Sequence, residues 1–354
     1  MTRVVQVRRA ARGGTLAVVT QPSPAARPGP RRGVDPLTVM ILAVLVLGLL
    51  APVRGALAGG VSVASTAAIV LLFFGYGVRT SRAELHDALR GWRLQTSILA
   101  ATFVVFPLLG LLATRASFLA GDLRTGVLYL ALLPSTVQSS IVFTSIARGN
   151  VAGAITAATA SNVIGIVLTP LLVAGMMGRS GGGLGVHGVV GTLTELLAPF
   201  AVGQLAQRRL GPWLRSHPRV TRAADRATIV LVVYSSVSEA TVSGAWGHLT
   251  VGQLGGLLAV CAALLAAMLA ITWRVGAAIG LDLPDRIALL MCGSKKSLAT
   301  GLPMAAVLFA PAVAASVALP VIVFHQLQLA VCAMLARRLG ARGEPPDRAS
   351  AGVD

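Results

Sequence analysis

Residues 37–53, 252–272 and 303–336 contain no charged side chain at all. An apolar run of about 18 residues or more is long enough, as a helix, to cross the hydrocarbon core of a bilayer. One such run could be a buried core helix. Several in one chain point to a protein that crosses a membrane repeatedly. Composition agrees, because 55% hydrophobic against 12% charged residues leaves too little polar surface for a soluble chain of 354 residues. The pattern predicts ten spans, at 37–53, 61–78, 94–113, 125–147, 151–177, 186–206, 227–244, 251–278, 284–309 and 312–336. All are expected to be α-helical, since backbone groups in lipid must pair within their own segment.

The formal net charge of +18 would suggest nucleic acid in a soluble protein. Here the basic residues lie between the apolar runs, and aromatics make up only 5% of the chain without interleaving with them. Nucleic acid is therefore set aside as a partner; the expected partners are the bilayer and a small-molecule or ion substrate. With the N-terminus inside, the ten spans place 24 arginines on the cytoplasmic side and four outside: Arg54, Arg115, Arg124 and Arg179. That asymmetry predicts a multi-pass protein of the cell (inner) membrane with both termini cytoplasmic. Residues 1–36, with seven Arg, read as a disordered basic tail, and 337–354 as a second tail. Between them lie two five-span halves, 37–177 and 186–336. An odd number of spans per half makes the halves inverted relative to each other.

Cys261, Cys292 and Cys332 all lie in apolar runs and read as core residues rather than disulfide partners. The chain has no GxxxxGK[ST] loop and its spans hold no HExxH or GxSxG pattern, so no cofactor, no metal and no enzymatic activity is expected.

Two spans carry helix breakers beside polar groups at mid-depth. In the fourth, Pro134 is followed by Ser135, Thr136, Gln138, Ser139 and Ser140. In the ninth, Gly293, Gly301 and Pro303 surround Ser294, Lys295, Lys296, Ser297 and Thr300. Interrupted segments at matching positions of two halves point to a transporter binding site. Unwound backbone at that depth is tolerated only where it lines protein or a watery cavity.

Lys295 and Lys296 are the only lysines in the chain. A cation near the bilayer centre costs at least ~2.5–3.5 kcal/mol, which marks the pair as functional. Adjacent residues on a helix point about 100° apart, so both can face one site only if the backbone unwinds. A buried lysine can also surrender its proton, which makes either one a candidate proton carrier or a fixed cation. An acidic partner would lower the burial cost, and Glu239 in the seventh span is the favoured candidate over Glu195 in the sixth. Ser161 and Asn162, midway along the fifth span, complete the polar set.

The segments LLPSTVQSSIVFTSIARGNVAGAITAATASNVIGIVLTPLLV (132–173) and CGSKKSLATGLPMAAVLF (292–309) resemble the bile acid:sodium symporter family. LTELLAPFAVGQ (193–204) and ATFVVFPLLG (101–110) fit a symporter-seven-like branch of it with many bacterial members. The resemblance covers roughly residues 36–338. It implies ten helices in two inverted five-helix repeats, with panel and core domains and crossed, discontinuous helices 4 and 9. It also implies sodium ligands at the crossing and on the fifth helix. Ser140 matches a serine ligand, but the asparagine that follows it in those members is Ile141 here. The fifth-helix hydroxyl positions fall on Ala154 and Ala158, the ninth-helix glutamate and glutamine on Met291 and Lys295, and the third-helix glutamine on Thr102. Hard cations need several oxygen ligands, so the two-sodium site is expected to be lost with a Lys in its place. The resulting expectation is a secondary transporter of a small solute, an organic anion, by alternating access, sodium-independent or proton-coupled. The alternative is a non-transporting membrane protein that affects cation or calcium homeostasis.

Overall fold

A computed structural model describes residues 36–80, 91–177, 186–244 and 249–342. Residues 1–35 of the expected N-terminal tail (1–36) and residues 343–354 of the expected C-terminal tail (337–354) lie outside the described residues, while Pro36 already opens a helix. The described chain is helical throughout: α1 (Pro36–Leu50), α2 (Ala56–Arg79), α3 (Trp92–Ala113), α4 (Gly121–Leu132), α5 (Gln138–Ile146), α6 (Val151–Met177), α7 (Val186–Ser216), α8 (Pro218–Val242), α9 (Val251–Ala278), α10 (Leu283–Gly293), α11 (Leu298–Leu308) and α12 (Pro311–Arg342). Five of these, α2, α3, α6, α9 and most of α12, are long and apolar enough to cross a bilayer. Large apolar side chains lie on the outside, including Leu205 at 81% and Val251 at 88% exposure. In water such surface would drive association; in a bilayer it is the solvated face. The molecule is a polytopic membrane protein.

Helix starts follow local chemistry. Asp282 caps α10 by accepting from the Asp285 amide at 2.9 Å, and Thr250 caps α9 by accepting from the Gln253 amide at 3.2 Å. α8 begins with Pro218 in its first turn, where no backbone donor is needed. α5 ends with Arg148 at φ 60° and the Gly149 amide reaching back to Thr144 O at 2.8 Å. This is a left-handed C-terminal cap built without glycine at its key position.

Three helix limits lie well beyond the hydropathy expectation. α7 continues ten residues past 206 to Ser216, and α8 starts at 218 rather than 227. The arginines of 208–226 thus extend both helices rather than forming a loop. α12 likewise runs to Arg342, beyond the expected 336. Charge marks where lipid ends; it does not end a helix, because Arg is a good helix former.

In packing, α2 lies along α7, and α1 and α2 both pack on α8. Elsewhere α12 packs on α4, α9 and α11, and α10 on α5, α6 and α9. The fourth and ninth spans are each split into two helices, α4/α5 and α10/α11, and the breaks lie against each other. Gly293 ends α10, whereas Gly301 and Pro303, expected as breakers, lie inside α11; the break itself is Ser294–Ser297. Close approach explains two glycines here. A Cβ on Gly301 would come within 2.4 Å of Leu133 Cδ1, and one on Gly165 of α6 within 2.7 Å of Pro134 Cβ.

Candidate functional site

Ending a helix in the protein interior leaves carbonyls without amide partners. The C-terminus of α10 is satisfied by hydroxyls. Ser294 Oγ donates to Leu290 O at 2.5 Å, Ser140 Oγ to Met291 O at 3.1 Å and Ser135 Oγ to Cys292 O at 2.5 Å. Two of these three serines, Ser135 and Ser140, belong to the opposite broken span, so that span finishes this one. The Ser297 amide donates to Pro134 O at 2.8 Å, closing the crossing in the reverse direction.

The C-terminus of α4 is finished differently. Thr169 Oγ1 of α6 donates to Leu132 O at 2.9 Å, while Lys296 Nζ donates to Ala131 O and Leu133 O, both at 2.7 Å. The third ammonium hydrogen goes to Thr102 O of α3 at 2.8 Å. That carbonyl is free for a local reason. Residues Ala101–Val105 form a π-turn, in which each carbonyl bonds the amide five residues on. The Phe106 amide accordingly serves Ala101 O, and the next position, Pro107, has no amide to give Thr102 O. All three donors of the ammonium are therefore used on backbone carbonyls. The Phe106 ring completes the enclosure, with Nζ 4.3 Å from its centroid. Lys296 is 1% exposed.

Lys295 points elsewhere, as unwinding allows. Its Nζ donates to Ser139 O at 3.1 Å and sits 4.3 Å from the Phe143 ring centroid, fully buried. Phe143 packs against a small apolar cluster that includes Ile287, Leu290, Met291 and Cys332. The two neighbouring lysines thus occupy separate sites on either side of the fourth-span break.

Ser161 and Asn162 tie the crossing to α6. Ser161 Oγ accepts from the Ser135 amide at 3.0 Å. Asn162 Nδ2 donates to Ser135 O at 2.8 Å, and its Oδ1 accepts from Thr300 Oγ1 at 2.7 Å. Thr300 also pairs with Ser297 Oγ at 3.0 Å. Thr136 Oγ1 pairs with Ser139 Oγ at 2.8 Å and Ser140 Oγ at 3.1 Å.

Thr102, Pro134, Ser135, Thr136, Ser139, Ser140, Ser161, Asn162, Ser294, Lys295, Lys296 and Ser297 therefore gather at one crossing. Thr102 contributes its carbonyl rather than its hydroxyl, which bonds Ile98 O within α3 at 2.8 Å. Gln138 opens α5 but is exposed. Glu239, expected as the counter-charge, is exposed on α8, and so is Glu195 on α7. Carbonyls stand where a carboxylate was expected. Among the described residues, Arg79–Asp225 at 2.9 Å is the one salt bridge, and it joins α2 to α8 away from the crossing.

Residues that the sequence reading passed over also belong here. Tyr129 OH donates to Gly301 O at 2.6 Å, linking α4 to α11. Gln328, at the middle of the uncharged α12 run, bonds the backbone of Lys296. A lone mid-span amide was the available signal, and it looks the same as an ordinary interhelical contact.

Met291 and Lys295 stand at the positions where the resemblance implies carboxylate and amide ligands, and the Lys296 ammonium lies in the cage of three carbonyls.

Comparison with known proteins identifies the family. Residues 35–341 match the SBF-like CPA transporter family. An uncharacterized protein of Pseudomonas aeruginosa is 40% identical over 316 residues, covering 88% of this chain and 95% of that protein. "Putative symporter YfeH" of Escherichia coli is 40% identical over 309 residues, covering 87% and 93%. Sodium/bile acid cotransporter 7-B of Xenopus laevis is 24% identical over 274 residues, covering 76% and 80%. With the family model spanning nearly all described residues and two relatives at 40% identity, the chain belongs to the SBF-like CPA transporter family, of the bile acid:sodium symporter type.

Proposed function

We propose that the chain is a sodium-independent secondary carrier for a small organic anion, working by alternating access, with Lys296 as a fixed internal cation. One observation carries this reading: Lys296 Nζ donates to three backbone carbonyls at 2.7–2.8 Å where the two broken spans cross. An ammonium held by converging carbonyls does the electrostatic work of a bound monovalent ion. It neutralises the negative C-terminal end of α4 and fastens α3 to both broken spans. Two buried cations with no hydrogen-bonded carboxylate give the crossing a positive field. The N-terminal end of α5, beginning beside Lys295, adds to that field. An anion is the solute such a field attracts.

The wider frame of the proposal is ten spans in two inverted halves, 37–177 and 186–336, in the inner membrane with both termini cytoplasmic. The packing of α1, α2, α7 and α8 on one another supports a panel, and the remaining helices around the crossing support a core. A core that rocks against a panel exposes the crossing to each side in turn. Proton coupling is the alternative mode, in which the lysine is a proton carrier instead of a fixed cation.

Uptake of radiolabelled small carboxylates into proteoliposomes tests the reading. Accumulation is expected with choline in place of sodium, and loss of it in Lys296→Ala. Accumulation that requires sodium would overturn the coupling claim. Purified protein that moves none of the carboxylates would overturn the carrier claim.

A further inference from the structure

We propose that Gln328 of α12 is the positioning residue that aims the Lys296 ammonium into its carbonyl cage. The proposal rests on the reading of Lys296 as the fixed cation, but its test does not depend on transport.

Residues in the break have no helical partners for their backbone groups, and buried backbone groups require partners. For Lys296 both come from one side chain. Gln328 Oε1 accepts from the Lys296 amide at 2.9 Å, and Gln328 Nε2 donates to Lys296 O at 2.9 Å. This two-bond ring is the pairing a neighbouring β-strand would offer, supplied here by an amide side chain. Fixing both the N–H and the C=O of a residue fixes its φ and ψ, and with them the direction in which its side chain leaves the backbone. The long Lys296 side chain then reaches Thr102 O, Ala131 O and Leu133 O together.

His325, one turn earlier on α12, sets the orientation of that amide. Gln328 Nε2 also donates to His325 Nδ1 at 2.9 Å. Both hydrogens of the amide nitrogen are then used. Rotating the amide by 180° would turn Oε1 toward Nδ1 and break both bonds to Lys296. Gln328 is fully buried and His325 is 7% exposed, so water does not substitute for either. The chain Lys296–Gln328–His325 makes α12 the helix whose position is passed to the ammonium, although α12 gives the cage no ligand.

The chain holds two lysines, which lets each be followed separately. Full-length protein in detergent is treated by reductive methylation, and modification at Lys295 and Lys296 is counted by mass spectrometry. Both are expected to be protected in the wild type. Gln328→Met keeps length and removes all three bonds; it is expected to raise Lys296 reactivity about tenfold or more, with Lys295 still protected. His325→Leu removes only the orienting bond and is expected to give a smaller rise, again at Lys296 alone. In protein labelled with nitrogen-15 lysine, one of the two Nζ resonances is expected to move in either variant. Lys296 remaining protected in Gln328→Met, or both lysines becoming reactive together, overturns the proposal. Should Gln328→Met not fold, His325→Leu decides by the same criteria. Loss of uptake in Lys296→Ala alongside an unmoved Lys296 in Gln328→Met would sink the positioning role and leave the carrier reading intact. Selective release of Lys296 alongside normal uptake in Lys296→Ala would do the reverse.

Discussion

Lys295 and Lys296 are adjacent in sequence and unlike in surroundings. Lys296 spends all three donors on carbonyls of α3 and of the α4 end, whereas Lys295 has one carbonyl and a ring. The difference lies in what faces them. Lys296 meets the C-terminal end of a broken helix, which is rich in free acceptors, and Lys295 meets the start of the next helix. A buried charge is held well where the backbone has been left incomplete, and only loosely where it has not.

The sharpest way to break the comparison is to remove each lysine in turn. Lys296→Met leaves three buried carbonyls bare at ~1–3 kcal/mol each, offset in part by the charge no longer buried. A destabilisation of about 3 kcal/mol is expected as the lowest melting midpoint of the series in detergent. An unchanged midpoint would mean that the three bonds hold nothing together. Gly165→Ala tests the opposite face of the same break. Its Cβ would press on Pro134 at 2.7 Å, and overpacking of that kind costs ~1–3 kcal/mol in the same thermal assay. Lys295→Met should lose only ~1 kcal/mol, from one hydrogen bond and one ring contact. A loss equal to that of Lys296→Met would erase the distinction drawn here. Ser135→Ala removes one hydroxyl from the α10 end and should cost about 1 kcal/mol. Glu239→Gln, on an exposed position, should change the midpoint by no more than ~0.5 kcal/mol and leave uptake as it is.

The two breaks were legible in the sequence because Pro134, the serine cluster and the paired lysines are unusual at membrane depth. The partner of Lys296 was not. A search among side chains led to Glu239, while the acceptors turned out to be main-chain carbonyls, which every residue has. Gln328 carried no signal of its own, since nothing in a single mid-span amide reveals that it faces unwound backbone. The helical extensions of α7 and α8 through 208–226 were hidden for a related reason. Hydropathy follows the solvent, and the backbone continues its ladder after the solvent changes.

The slipped register of α3 has an evolutionary reach. A π-turn is what one inserted residue produces in a helix that has nowhere to put it. Beside Pro107, that surplus residue leaves a carbonyl with no neighbour to answer it, aimed inward. In a descendant with any other residue at 107, a new amide would answer Thr102 O along the helix and compete for one third of the ammonium's grip. Pro107, which offers the cage no side-chain polarity, is then the residue of α3 that selection has to preserve.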